Sequence, residues 1–146
     1  MTPKLPVSVL VVVHTAELEV LLLERRLRSG YWQSVTGSLD SLQEPLQAAA
    51  AREVREETDI DAGGALSRWN VVNTFEIYAE WRHRFAPGVI YNVEHVFGLR
   101  LAQRLPVTLA PEEHVAYAWL PWREAASRCF SWSNRDALMM LGEGSA

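Results

Sequence analysis

Apolar and polar positions alternate along much of this chain, and a helical period replaces that alternation in only a few places. Val7–Val13 is an almost unbroken β-branched run, which predicts a buried strand. A short turn at Thr15–Glu19 returns the chain to a second strand, Val20–Leu23, and Leu27–Gly30 reads as a loop. Tyr31–Thr36 is a short extended piece that leads to Gly37. From Glu44 to Thr58 the pattern changes. Ala, Leu, Glu and Arg dominate, Pro45 stands in the expected first turn, and Leu46, Ala50 and Val54 form one apolar stripe at helical spacing.

Beyond the turn signal at Asp61–Gly64, Trp69–Ala79 and Glu80–Phe85 read as extended, with a turn at Pro87-Gly88. Val89–Leu101 and Ala116–Leu120 are further strands, separated by a connection through Pro106–Pro111. Pro121-Trp122 opens a helical tail to Ser127, and Ser131–Leu141 is a final helix with Ser133 or Asn134 as its cap. A strand-rich order with two or three helices predicts an α/β protein, a mixed β-sheet covered by helices. With 146 residues and neither internal repeat nor linker, one domain over residues 1–146 is expected.

Composition narrows function by exclusion. The chain is 49% hydrophobic and 22% charged, which is globular, and its net charge of −4 argues against nucleic-acid binding through a general basic face. Arg25-Arg26 and Arg82-His83-Arg84 remain as local clusters able to meet phosphates. A single cysteine, Cys129, permits neither an intramolecular disulfide nor a cysteine zinc site, and is expected to act as a small hydrophobe. His83, His95 and His114 lack metal-ligand spacing and read as hydrogen-bonding residues. Val7–Val13 is too short to span a membrane, and Pro3 and Pro6 do not suit a signal peptide. A cytoplasmic protein without a membrane partner is expected.

The sharpest chemical signal lies on the predicted helix. Glu53 and Glu57 are one turn apart, with Glu56 beside them and all three near the helix C-terminus. They repel one another, and the helix dipole disfavours each by about 0.3–1 kcal/mol. A divalent cation removes both penalties, and Mg²⁺ favours carboxylates combined with water and phosphate oxygens. Taken alone, the run Arg52–Glu57 also fits a solvated face with an Arg52–Glu56 pair.

The longer stretch decides between these readings. Gly37, Glu44, Arg52, Glu53, Val54, Glu56, Glu57 and Ile60 resemble the fixed positions of the Nudix box. Six residues separate Gly37 from Glu44 where the family has five, and Asp59 stands where the family has glycine. The resemblance implies an α/β/α sandwich and a hydrolase that cleaves a diphosphate linked to another group. It further implies Mg²⁺, with Mn²⁺ as a substitute, held by Glu53, Glu57 and Glu113, the last from a loop before the final strand. Glu56 would help bind metal or polarise water, and Arg52 would orient Glu53. Glu113 is the favoured proton acceptor or metal ligand, with Glu112 beside it as the alternative.

Segments outside the box, among them Tyr31–Ser38, Phe75–Tyr78, Arg82–Val89, Glu113–Leu120 and Ser131–Arg135, resemble the branch of the family that acts on a pterin triphosphate in folate synthesis. The implied reaction converts dihydroneopterin triphosphate to the monophosphate and pyrophosphate. Lys4, Arg25, Thr36, Phe75, Glu76, Ile77, Tyr78 and Ser131 correspond to substrate-contacting positions. Lys4 and Arg25 would meet phosphates, while Phe75 and Tyr78 would wall a flat ring. Blander roles stand beside these: core packing for Phe75 or Ile77, a loop cap for Thr36, an ordinary solvated lysine for Lys4. Trp32, Trp81, Trp119 and Trp132 read as core or rim. The competing functions are a broader nucleoside triphosphate pyrophosphatase and a non-catalytic metabolite-binding module, the latter disfavoured because all three box glutamates are present. The expected partner is a small-molecule triphosphate and the expected state a monomer or weak homodimer.

Overall fold

A computed structural model of the chain describes residues 2–144; residues 1, 145 and 146 of the expected 1–146 domain lie outside them. The mixed sheet has seven strands: β1 (Val7–Thr15), β2 (Glu19–Arg25), β3 (Trp32–Gln33), β4 (Val35–Ser38), β5 (Leu66–Glu76), β6 (Tyr91–Leu101) and β7 (His114–Pro121). Among the described residues three α-helices accompany it, α1 (Leu46–Thr58), α2 (Trp122–Arg128) and α3 (Trp132–Gly142). β6 runs parallel to β1, from Val7↔Val93 to Thr15↔Leu101, and pairs antiparallel with β5 on its other side.

Period-2 alternation along β1 divides the core into two layers. Val9, Val11 and Val13 face α1 with Ala49, Ala50 and Val54. Leu10 and Val12 face α2 and α3 with Ala125, Ala137 and Leu138. Both faces of β1 are covered, which is why its sequence reads as a continuous apolar run.

β1 and β2 pair only at His14↔Val20 and then part. Residues 32–38 enter the gap: β3 pairs with β2 through Leu23↔Gln33, and β4 pairs with β1 through Ser8↔Ser38 to Val11↔Val35. The chain bends between them at Ser34, which is fully buried. Asn134 of α3 clamps this bend, accepting the Ser34 N–H at 2.7 Å and donating from its amide to the Ser34 hydroxyl at 3.0 Å. Asn134→Ala leaves a buried N–H unpaired and is expected to cost about 1–3 kcal/mol. Urea denaturation measures this, and a loss inside experimental error would contradict the clamp.

Several sequence expectations need correction. Glu80–Phe85 is not extended: Ala79–Arg84 forms a 3₁₀ helix, and the preceding strand ends at Glu76 rather than Ala79. α1 starts at Leu46, with Pro45 outside it as the N-cap residue (φ −61°, ψ 140°) and Glu44 in the loop. The cap of α3 is Ser131, whose hydroxyl accepts the Asn134 N–H at 3.3 Å. Thr36 does not cap a loop; it lies in β4 and donates its hydroxyl to the Val9 carbonyl at 3.0 Å. Asp59 does take the left-handed helix end (φ 61°), its N–H bonded to the Arg55 carbonyl at 2.9 Å. Cys129 is half-buried and free, with burial pushing its thiol up to about 12. No helix of the described residues is long and apolar enough to cross a membrane.

Candidate active site

The splay of β1 and β2 opens a cleft of about 640 Å³, and the candidate residues all border it. Lys4, Arg25, Thr36, Arg52, Glu53, Glu56, Glu57, Phe75, Glu76, Ile77, Tyr78, Glu113 and Ser131 line one continuous space. They come from the N-terminal segment, β2, β4, α1, the end of β5, the loop before β7 and the start of α3.

α1 presents the acidic wall. Glu53 and Glu57 are buried on adjacent turns, while Glu56 is exposed. Burial and the Glu53 charge push the Glu57 carboxyl well above the usual carboxylate range, and Glu113 adds to the effect. Burial raises Glu53 as well, against the pull of Arg52. The Glu57 Oε1 has no hydrogen-bond partner. Two repelling carboxyls with an unpaired buried oxygen are what a hard cation would neutralise, so this donor set fits a divalent metal. Gly37 faces them across the loop. A Cβ built at Gly37 would overlap the Glu53 carboxyl, so the box glycine leaves room for that carboxylate.

Arg52 fixes the geometry of the acidic wall. Its guanidinium donates to both oxygens of Glu44 at 2.9 and 3.0 Å, to Glu53 Oε1 at 2.8 Å and to the Ser38 carbonyl at 3.1 Å. The six-residue stretch between Gly37 and Glu44 ends in a turn closed by the Glu44 N–H on the Ser41 carbonyl at 3.1 Å. Glu44 still reaches Arg52. Lysine cannot reproduce that fork, so Arg52→Lys is expected to weaken cation affinity by about 10–100-fold with the fold retained. An Mn²⁺ titration reads this directly; unchanged affinity would remove the orienting role.

Glu113 is exposed at the rim beside Glu112, and both border the cleft. It is near enough to raise the Glu57 pKa, yet among the described residues no three Asp, Glu, His or Cys side chains are gathered as a closed metal-holding group. The expected three-carboxylate set is thus present as a buried pair and a separate third member. His114, next in sequence, is buried and its imidazole is brought down to about 4 by burial and then Arg25, which keeps it neutral near pH 7.

A cationic wall faces the carboxylates. Enclosure lowers the pKa of Lys4, and Arg84 and Arg25 lower it further, while Glu53 and Glu113 oppose them. Burial and then Arg84 lower Arg25 in the same way. Three cations gathered near a carboxylate pair suit a polyanionic ligand that would arrive with a metal ion.

The aromatic wall is larger than the sequence predicts. Phe75 and Tyr78 border the cleft, but Trp81 and Phe130 join them, with Tyr78–Trp81 at 5.2 Å, Trp81–Phe130 at 5.8 Å and Tyr31–Phe130 stacked at 4.8 Å. Arg25 lies over the Trp81 ring at 4.5 Å, joining the aromatic wall to the cationic one. Ile77 is buried, with its N–H on the Ile90 carbonyl at 2.7 Å and its carbonyl accepting Arg82 Nε at 3.0 Å. Sequence reasoning missed Phe130 and assigned Trp81 to core or rim. Trp132 also borders the cleft, whereas Trp32 and Trp119 pack against the cores.

Comparison with known proteins identifies the architecture. A NUDIX domain model matches residues 4–141. The dihydroneopterin triphosphate diphosphatase of Escherichia coli K12 is 43% identical over 139 residues, covering 92% of this chain and 91% of that protein. The Haemophilus influenzae protein of the same name is 33% identical over 135 residues, covering 90% and 84%. The solved structure of the E. coli dihydroneopterin triphosphate pyrophosphohydrolase matches with a TM-score of 0.89 at 41% identity, covering 96% of this chain and 97% of that one. A box glycine that makes room for a buried glutamate pair, an arginine that orients it and a match across nearly the whole chain agree: this chain belongs to the Nudix hydrolase family.

Proposed function

We propose that the protein hydrolyses dihydroneopterin triphosphate to dihydroneopterin monophosphate and pyrophosphate, using Mg²⁺. The observation that carries this reading is the single cleft in which a carboxylate pair, a cationic cluster and an aromatic wall meet. A triphosphate and a flat bicyclic ring need those three surfaces together. The likeness to two relatives named for that reaction supports the choice of ring.

Nudix hydrolases use divalent metal ions. Glu53 and Glu57 would hold the cation, with Glu113 joining from the rim and Glu56 assisting at the exposed side. When bound, the cation neutralises phosphate oxygens and lowers the pKa of its water. Lys4 and Arg25 hold the phosphate chain, Lys4 as a point charge and Arg25 through its fork. Glu113, exposed on a loop, accepts the proton of the attacking water. The ring lies against Phe75, Tyr78, Trp81 and Phe130, while the backbone of Glu76 and Ile77 and the Ser131 hydroxyl lie along its edge. Thr36, with its hydroxyl proton committed to Val9, offers oxygen lone pairs only. The protein works in the cytoplasm as a monomer or weak homodimer, without a nucleic-acid or membrane partner.

The aromatic wall also accepts purine rings, so some turnover of nucleoside triphosphates is expected. Comparing kcat/KM for the pterin substrate with dATP, dGTP and 8-oxo-dGTP tests the assignment. Preference for the pterin is expected, and preference for any nucleotide would replace this reading with nucleotide-pool hydrolysis.

A further inference from the structure

Glu94 is a charged residue on the inward face of β6, in register with Ser8 of β1 and Asn73 of β5. Asn92, Glu94 and Val96 share one face of the strand, and Val96 packs in the core layer of α2 and α3. Glu94 is only 5% exposed, borders the cleft, and its Oε1 has no hydrogen-bond partner. Asn92, also 5% exposed and bordering the cleft, donates from Nδ2 to Ser8 Oγ at 2.8 Å and leaves its Oδ1 unpaired. Buried polar atoms are rarely left without partners, because each one has given up its hydration for nothing. Both unpaired atoms here are acceptors. What meets them must bring N–H or O–H donors.

We propose that Glu94 is a specificity residue that reads the two adjacent N–H donors of a 2-amino-4-oxopyrimidine ring edge, with Asn92 Oδ1 accepting a further donor of the same ligand. This rests on reading the cleft as the substrate site, and it adds the chemical edge by which the ring is chosen. A carboxylate has two acceptor oxygens and no donor, so it complements a donor–donor edge. Pterins present that edge through N3–H and the 2-amino group, and guanine presents it through N1–H and its 2-amino group. Adenine presents a donor beside an acceptor, which faces a carboxylate badly. Ser133, in the first turn of α3, and Asn73 of β5 lie beside the Glu94 carboxyl and favour its ionised form against burial. Burial raises its pKa, and two donors from a ring would favour the ionised form.

The test uses substrate pairs that differ only at this edge. In the wild-type protein with Mg²⁺, dITP lacks the 2-amino group of dGTP and is expected to show a KM about tenfold higher, the cost of one hydrogen bond to a charged group. Glu94→Gln replaces one acceptor with a donor. It is expected to lower the dGTP-to-dATP ratio of kcat/KM by about 10–100-fold, chiefly through KM, with dihydroneopterin triphosphate losing in parallel with dGTP. If wild type ignores the 2-amino group, or if Glu94→Gln depresses dGTP and dATP equally, the assignment is overturned and Glu94 only ties β6 to α3. Should Glu94→Gln not fold, the dGTP–dITP comparison on wild type decides alone. If wild type does not turn over dihydroneopterin triphosphate but the dGTP–dITP difference appears, the proposed substrate falls and the role of Glu94 stands.

Discussion

Replacing Glu57 or Glu53 with glutamine is expected to lower kcat by about a thousandfold, the several kcal/mol that a bound cation contributes at a phosphoryl centre, while the protein stays folded. The two carboxyls occupy adjacent turns of α1, both buried and both raised in pKa, with burial as the leading cause. Glutamine keeps the shape but supplies neither the negative charge nor a second acceptor oxygen. Stability of the metal-free protein should move the opposite way. Glu57 binds its proton more tightly in the folded state than at the ordinary 4.5, so folded stability is lost as pH rises from there through the raised value. Glu57→Gln removes that loss. Metal-free Glu57→Gln should therefore melt higher than metal-free wild type at pH 8, and added Mg²⁺ should stabilise wild type more than the variant. A variant that keeps wild-type turnover would remove the metal role of the pair.

Gly37→Ala should also be damaging, for a different reason. Gly37 is in β4, paired with Val9, and is not among the residues with positive φ, so alanine meets no backbone strain. The closest conflict is with the Glu53 carboxyl, where the new methyl group would sit. Glu53 must move its carboxyl, disturbing its pairing with Arg52. Displacing a catalytic group by about 1 Å costs roughly a hundredfold in rate, which is the expected loss. The melting temperature should change little, because the displaced atoms end a flexible side chain. Unimpaired cation binding and turnover in Gly37→Ala would show that the Glu53 position is not critical.

These two effects explain what could be read from the chain beforehand. Gly37, Arg52, Glu53 and Glu57 lie within one strand–loop–helix segment of 21 residues, so their mutual geometry follows largely from local spacing. β1 was legible for a similar reason, since burial on both faces leaves an apolar run. The 3₁₀ helix was not. Its sequence, Ala79–Arg84, carries aromatic and charged residues that suit an extended piece equally well, and its place is fixed by non-local contacts such as the Lys4 N–H on the Arg84 carbonyl at 2.8 Å. The resemblance implies a substrate contact at Ser131, whose position borders the cleft, but its hydroxyl also caps α3. Phe130 and Glu94 could be placed only once β6 and the α2–α3 connection met around the cleft. Glu94 did carry one signal: a carboxylate at an inward position of a strand whose same-face neighbour, Val96, is core.

Hydrolysis of dihydroneopterin triphosphate with Mg²⁺, scored for pyrophosphate against orthophosphate, tests the central claim most directly. Rapid release of pyrophosphate, with dihydroneopterin monophosphate as the other product, is the predicted result. Failure to release pyrophosphate from this substrate, with dATP or 8-oxo-dGTP turned over readily under the same conditions, would contradict it.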